Sequence, residues 1–235
     1  MQFLRRLFIP AILITSLLYA CNSTEIGDSK DVNPESIYID YQVLYNENSD
    51  SVDCFFQYRF GGKAGTTLVL TPPSHVNFNG ENIQVDSSLL LGAFYRKRFL
   101  RTGFTGENTV QFTDNKNQMH EELFNFKPLS CTKASTSFKQ TDSLQFTFDG
   151  VSDKDTFLVE ISDTSSVSPD MDSILYIKNN QLLFPASMFS KLSPGMIRFK
   201  FQKKQYKPLK NPLAEGGQFL FQYILNPIEI KMDRP

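Results

Sequence analysis

The side chains able to do chemistry are few in this 235-residue chain: two histidines and three cysteines, among 24 basic and 25 acidic groups. Cys21, Cys54 and Cys131 make an odd count, so at least one stands outside any internal pair. Cys54 and Cys131 are the candidates for a disulfide, which would close a long loop and add ~4 kcal/mol in the chain-entropy model. The alternative is two separate thiols, Cys54 buried mid-strand and Cys131 in a linker. His120 lies in Met119-His120-Glu121-Glu122-Leu123-Phe124, where a zinc-protease helix would need a second histidine in place of Phe124. His75, after Pro-Pro-Ser, reads as a loop residue. Asp149, Asp153 and Asp155 cluster, as do Asp163, Asp170 and Asp172. Such loops can offer carboxylates to calcium, but they lack the Asp-x-Asp-x-Asp-Gly order, and turn formation alone accounts for them. The sequence carries no Gly-x-Ser-x-Gly elbow and no glycine-rich phosphate loop. The expectation is a non-enzyme with no catalytic residue, no cofactor and no metal.

Charge narrows the partners. A formal net charge of -1 lacks the basic excess of a nucleic-acid binder, so no nucleic-acid partner is expected. Two basic runs stand out: Arg96, Lys97, Arg98 and Arg101, then Lys200, Lys203, Lys204, Lys207 and Lys210 around Tyr206. They can meet lipid headgroups, an acidic glycan or an acidic protein surface, or serve as solvated, edge-protecting faces.

Residues 1–20 place Arg5 and Arg6 ahead of an apolar run over 7–18. That run is shorter than the ~20 residues needed to span a bilayer, and Pro10 interrupts it. It reads as a secretory signal. Its end, Leu18-Tyr19-Ala20-Cys21, resembles the lipobox of bacterial lipoproteins, with Tyr19 bulkier than the residue usual at that place. The resemblance implies cleavage before Cys21, a diacylglycerol thioether on Cys21, and attachment to the membrane through that lipid anchor, stable because more than one acyl chain is used. An ordinary secretory signal with an incidental cysteine, or an uncleaved anchor, are the alternatives. Asn22, where aspartate would imply inner-membrane retention, implies the outer membrane. Glu25 and Asp28, separated rather than contiguous, resemble the surface-export signals of Bacteroidota lipoproteins, and the periplasmic and surface faces both stay open. Residues 21–35 are polar and aperiodic and read as a flexible tether.

The elements that must position any site are strands. From residue 37 apolar and polar residues alternate in short runs separated by Gly, Pro, Asn and Asp. Val52, Cys54, Phe56, Tyr58 and Phe60 share one face, with Asp53, Gln57 and Arg59 on the other. Asn79-Gly80 is a hairpin turn, and Asn179-Asn180 is a second hairpin candidate, between strands over 174–177 and 181–184. Ile197, Phe199 and Phe201 point inward. Pro185 opens a short helical turn. The pattern breaks over 127–135, which divides the chain into a first β-sandwich, 36–129, and a second, 130–235, of usual domain size. With 22 Phe and no Trp, phenylalanine fills the space between sheets without a polar atom to satisfy.

Val76-Asn77-Phe78-Asn79-Gly80, Val110-Gln111-Phe112-Thr113-Asp114-Asn115, Phe184-Pro185-Ala186 and Leu192-Ser193-Pro194-Gly195 are similar to segments of small Bacteroidota lipoproteins with two tandem immunoglobulin-like β-sandwich modules. The resemblance implies an all-β fold of that kind and no catalytic residues. The functional expectation is a lipid-anchored, non-enzymatic cell-envelope protein at the outer membrane, partnered by another envelope protein. The alternative is a surface glycan-binding accessory lipoprotein, which would align exposed aromatics from among Tyr38, Tyr45, Tyr95 and Tyr206.

Overall fold

A computed structural model describes residues 25–163 and 170–234. The signal, Cys21 and the middle of the polar loop after Asp163 lie outside the described residues. The first ten strands are β1 (Ile26–Asp28), β2 (Ile37–Asn46), β3 (Ser51–Phe60), β4 (Thr66–Val69), β5 (His75–Phe78), β6 (Glu81–Asn82), β7 (Val85–Ser88), β8 (Gly92–Leu100), β9 (Gly106–Thr113) and β10 (Met119–Phe126). A single helical turn, α1 (Arg101–Phe104), joins β8 to β9. There follow β11 (Ser130–Lys133), β12 (Ser137–Lys139), β13 (Leu144–Asp149), β14 (Thr156–Asp163), β15 (Met171–Tyr176), β16 (Gln181–Phe184), β17 (Gly195–Lys207), β18 (Gly217–Ile224) and β19 (Ile228–Asp233). The chain is all-β, as the alternation requires. In β3 the inward set Val52, Cys54, Phe56 and Tyr58 is buried, and in β17 so are Ile197, Phe199 and Phe201. Phe60, at the end of its strand, is exposed instead.

The architecture is a sandwich with one long layer. Twelve strands make a single sheet along the path β1-β4-β3-β2-β18-β17-β14-β15, with β7–β8 branching from β3 and β12–β19 from β17. Two smaller sheets, β10-β9-β5-β6 and β11-β13-β16, form covers. Both lie on the same face of the long sheet. Tyr45, Tyr223, Lys203 and Phe157 sit opposite one another across β2, β18, β17 and β14, and residues opposite one another share a face. The first cover meets that face through Phe78 on Phe56, 5.7 Å between centroids, and Phe112 on Tyr58, 4.5 Å. The second meets it through Phe146 on Phe199 and Phe201, 5.0 and 5.1 Å. Phenylalanine is the common material of both interfaces, as the Trp-free composition implies.

Three placements differ from the sequence expectations. The segment read as a flexible tether is structured from Glu25 onward. β1 pairs in parallel with β4, Ser29 and Pro34 are buried, and Asn115 Nδ2 donates to the Ser29 and Val32 carbonyls. Its polar residues are spent on caps, Asp28 accepting from Lys30 N and Asn33 from Glu35 N. The strands beside Asn179-Asn180 do not pair as a hairpin. The turn closes one bridge, Lys178 with Gln181, after which β15 pairs with β14 and β16 with β13. Finally, β18 returns from the C-terminal part of the chain to pair in parallel with β2, so the long sheet is continuous from one cover to the other.

Candidate functional site

The covers occupy one face of the long sheet, and strand pairing places a second face behind it that no cover strand among the described residues occupies. One row across that face runs Tyr206, Leu220, Gln42, Phe55 and Arg96 through β17, β18, β2, β3 and β8. The next runs Lys204, Gln222, Leu44, Asp53 and Arg98. At their centre is an apolar trough of about 220 Å³, lined by Leu44, Phe55, Leu91, Phe94 and Leu220, with Gln42, Gln222, Asp53 and Arg96 at its margin. Phe55 and Phe94 stack at 5.2 Å and 24°. Tyr206, 62% exposed, stands beside the trough on β17.

The margin is electrostatically paired. Asp53 accepts from Arg96 Nη2 at 3.0 Å and from Arg98 Nε and Nη2 at 3.0 and 3.2 Å. Burial alone would raise its pKa, but hydrogen bonds from Arg98 and Arg96 outweigh burial and lower it. The first basic run therefore divides by strand alternation. Arg96 and Arg98 face the trough, whereas Lys97 turns to the cover and pairs with Glu81. Arg101 reaches Asp50 at 3.7 Å.

A second concavity, polar and about 330 Å³, lies where the two covers approach each other, lined in part by Asn125, Asp149, Lys203, Lys207 and Tyr223. Lys203 is 4% exposed, pairs with Asp155, and places Nζ 5.3 Å from the Tyr223 ring centroid. Lys207 Nζ lies 4.7 Å from the Phe221 centroid. Burial, and then Lys203, push the Lys207 pKa down. Burial, with Asp155 and Tyr45 adding, pushes that of Tyr223 up to about 12. Grouping Lys203 with the solvated lysines missed this pair, although its signal was present. The period of two through Ile197, Phe199 and Phe201 places position 203 on the buried face.

The remaining candidates do not converge. Cys54 and Cys131 both stand as free cysteines in the structure. Cys54 faces the core from the middle of β3, and Cys131 Sγ, on β11, turns to the Lys133 carbonyl at 3.6 Å. Burial raises both thiol pKa values. His120 stacks on Phe112 and its Nε2 meets Asp114 Oδ2 at 3.2 Å. His75 Nδ1 donates to the Pro73 carbonyl at 2.8 Å. Asp149, Asp153 and Asp163 each accept a backbone N–H, Asp155 holds Lys203, and Asp170 and Asp172 are exposed. Among the described residues no three His, Cys, Asp or Glu side chains gather as a metal site. Of the four tyrosines expected on a glycan platform, Tyr45 and Tyr95 are in the core. Tyr95 is held there by the Leu70 N–H, which donates to its hydroxyl at 2.6 Å.

Fold and site together define a β-sandwich protein whose long sheet has one face left uncovered among the described residues. No family model matches the sequence, and no curated protein matches it. The solved structures that follow are similar at low scores. A tetra-tandem repeat from the extending region of a large adhesion protein is 12% identical with a TM-score of 0.24, over 83% of this chain and 49% of that one, so the chain spans about half its length. The Bacteroides ovatus mixed-linkage glucan utilization locus protein SGBP-B, solved with a mixed-linkage heptasaccharide, is 8% identical with a TM-score of 0.24, over 92% and 68%. The fibronectin(III)-like modules of Clostridium thermocellum CbhA are 11% identical with a TM-score of 0.23, over 83% and 94%. Scores this low carry no conclusion about the chain.

Proposed function

We propose that this chain is a lipid-anchored protein of the bacterial cell envelope, held at the outer membrane through Cys21, and that it acts by binding rather than catalysis, through the uncovered face of its long sheet. The observation that carries the reading is the trough on that face. An apolar floor of Phe55, Phe94, Leu44 and Leu220, bordered by amides and by charges already paired to each other, suits an apolar anchor residue of a partner protein within a polar rim. A glycan is the second reading. Its support is exposed Tyr206 beside Leu220, in line with Gln42, an aromatic ring flanked by a side-chain amide.

The test places a photoreactive residue at Gln222 of the full chain in its native cells, with the same residue at exposed Lys154, on the β13–β14 connection, as reference. Irradiation is expected to give a discrete protein adduct from position 222 and none from 154. Identical patterns at both positions would overturn the protein reading. Retardation by an immobilised surface polysaccharide, lost in Tyr206→Ala, would replace it with the glycan reading.

A further inference from the structure

The hairpin between β7 and β8 turns on Leu89-Leu90-Leu91. Hairpin turns select Gly, Asn, Asp and Ser, which tolerate the required backbone angles and face water without penalty. Here the turn is made of three leucines, 95%, 86% and 45% exposed. A contiguous exposed apolar patch on a protein surface marks a contact with another apolar phase.

The base of the turn is held by side-chain hydrogen bonds. Gln57 Nε2, buried, donates to the Leu91 carbonyl at 2.6 Å and the Ala93 carbonyl at 2.9 Å. Arg59 Nε and Nη2 in turn donate to Gln57 Oε1 at 3.1 and 2.7 Å. Gly92, at φ +69°, brings the backbone so close to Thr67 that a Cβ would lie 2.2 Å from its Oγ1. That threonine is the link that matters. Its Oγ1 accepts from Ala93 N at 2.9 Å and donates to the Glu25 carbonyl at 2.8 Å, while its N–H donates to the same carbonyl at 3.0 Å. One side chain thus ties the leucine turn to residue 25. Ile26 and Phe60 are exposed at the same strand edge.

Residue 25 is four residues from Cys21. At ~3.3–3.6 Å per extended residue, those four reach at most about 14 Å. We infer that Leu89 and Leu90 form a membrane wedge, inserting into the lipid bilayer to which Cys21 is attached and fixing the orientation of the long sheet above it, with Leu91 left at the edge of the trough. The inference rests on the lipid-anchor reading for its geometry. The acyl chains on Cys21 by themselves give stable attachment. A folded element carrying exposed leucines beside the anchor adds an orientation that acyl chains on a peptide do not impose.

The chain contains no tryptophan, so Leu90→Trp introduces a single reporter at an exposed site. The full lipidated variant is placed in phosphatidylethanolamine–phosphatidylglycerol vesicles with and without brominated lipids. Blue-shifted emission, quenched by bromine and protected from aqueous iodide, is the expected result. Water-like emission open to iodide in the vesicle-held protein would overturn the wedge. The Cys21→Ser version of the same variant separates the two readings. If the lipid-anchor reading fails, the parent and Cys21→Ser chains co-float with vesicles to the same extent, and the wedge is then read from a lipid-dependent blue shift in either. Replacing Leu89 and Leu90 with Ser in the Cys21→Ser chain, with its circular dichroism unchanged, should lower vesicle partition by about tenfold or more. Partition unchanged by those serines would overturn the wedge. So would a blue shift without lipid accompanied by dimer sedimentation, which would assign the leucines to a second copy.

Discussion

Lys203 and Asp155 hold opposite charges with little of either side chain exposed to water, 5% and 10%. The lysine reaches out of β17, in the long sheet, to the loop that leads from the second cover, and Asp155 also accepts the Ser152 N–H at 2.9 Å. A buried ion pair is a poor source of net stability, because desolvating both groups offsets their attraction. Breaking one is costly, because the survivor stays buried and charged. Lys203→Ala should therefore destabilise the fold by about 3–5 kcal/mol, whereas the apolar replacement of both, Lys203→Met with Asp155→Leu, should be near neutral or stabilising. Urea unfolding of the two variants checks this, and equal losses in both would mean that the pair does more than neutralise itself. The exposed pair Arg198–Glu229 is a fitting control, since surface pairs contribute little.

β18 is the element on which the continuity of the long sheet depends. Its partner on one edge is β17, 10 or so residues back in the chain, and on the other β2, far away in sequence and parallel to it. Gly217 opens that parallel pairing. A Cβ there would stand 2.5 Å from the Ile39 carbonyl oxygen and 2.4 Å from Leu209 Cδ1, so Gly217→Ala must push β18 off β2 or displace Leu209. The expected cost is about 1–3 kcal/mol, with faster amide exchange at Gly217–Ile224 than in β13 or β14. Uniform exchange across all strands would contradict it. This element also marks where sequence reading stops. The strands themselves are legible, because Phe219, Phe221 and Tyr223 alternate with Gln218 and Gln222. So is the Asn79-Gly80 hairpin, whose two positive φ angles, 49° and 80°, are what those residue types permit. Which distant strand β18 joins is not legible, because period two identifies a face and leaves the neighbour open. The trough was hidden for the same reason. Phe55, Phe94, Leu44 and Leu220 come from four strands, and each looks like an isolated apolar residue on a polar face until the register aligns them.

At the scale of the molecule, the return of β18 sets how the chain folds. Phe124 and Phe126, on the first cover, pack on rings that arrive from the C-terminal part of the chain. Phe124 meets Phe219 and Phe221 at 5.0 and 5.2 Å, and Phe126 meets Tyr223 at 6.0 Å. Tyr41 and Tyr45 on β2 do the same with Phe219 and Tyr223, at 5.6 and 5.9 Å. A fragment ending near residue 130 keeps every strand of the first cover but exposes these four rings and the β18 edge of β2. Burying a large apolar side chain is worth ~1.5–3 kcal/mol, so exposing four of them removes an amount comparable to the whole stability of a domain, ~5–15 kcal/mol. An unpaired edge on β2 would add a site for intermolecular strand pairing. Residues 22–130 expressed alone should therefore lack a cooperative thermal transition and aggregate, while the chain through residue 235 unfolds in one transition seen alike by circular dichroism and tyrosine fluorescence. Supplying β18 to the fragment as residues 217–225, through a glycine-rich linker long enough to run back along the strand, about a dozen or more residues, should restore cooperative melting. A fragment of residues 22–130 that melts cooperatively without it would mean that the first cover and its half of the long sheet are self-sufficient, and that β18 joins an already folded unit.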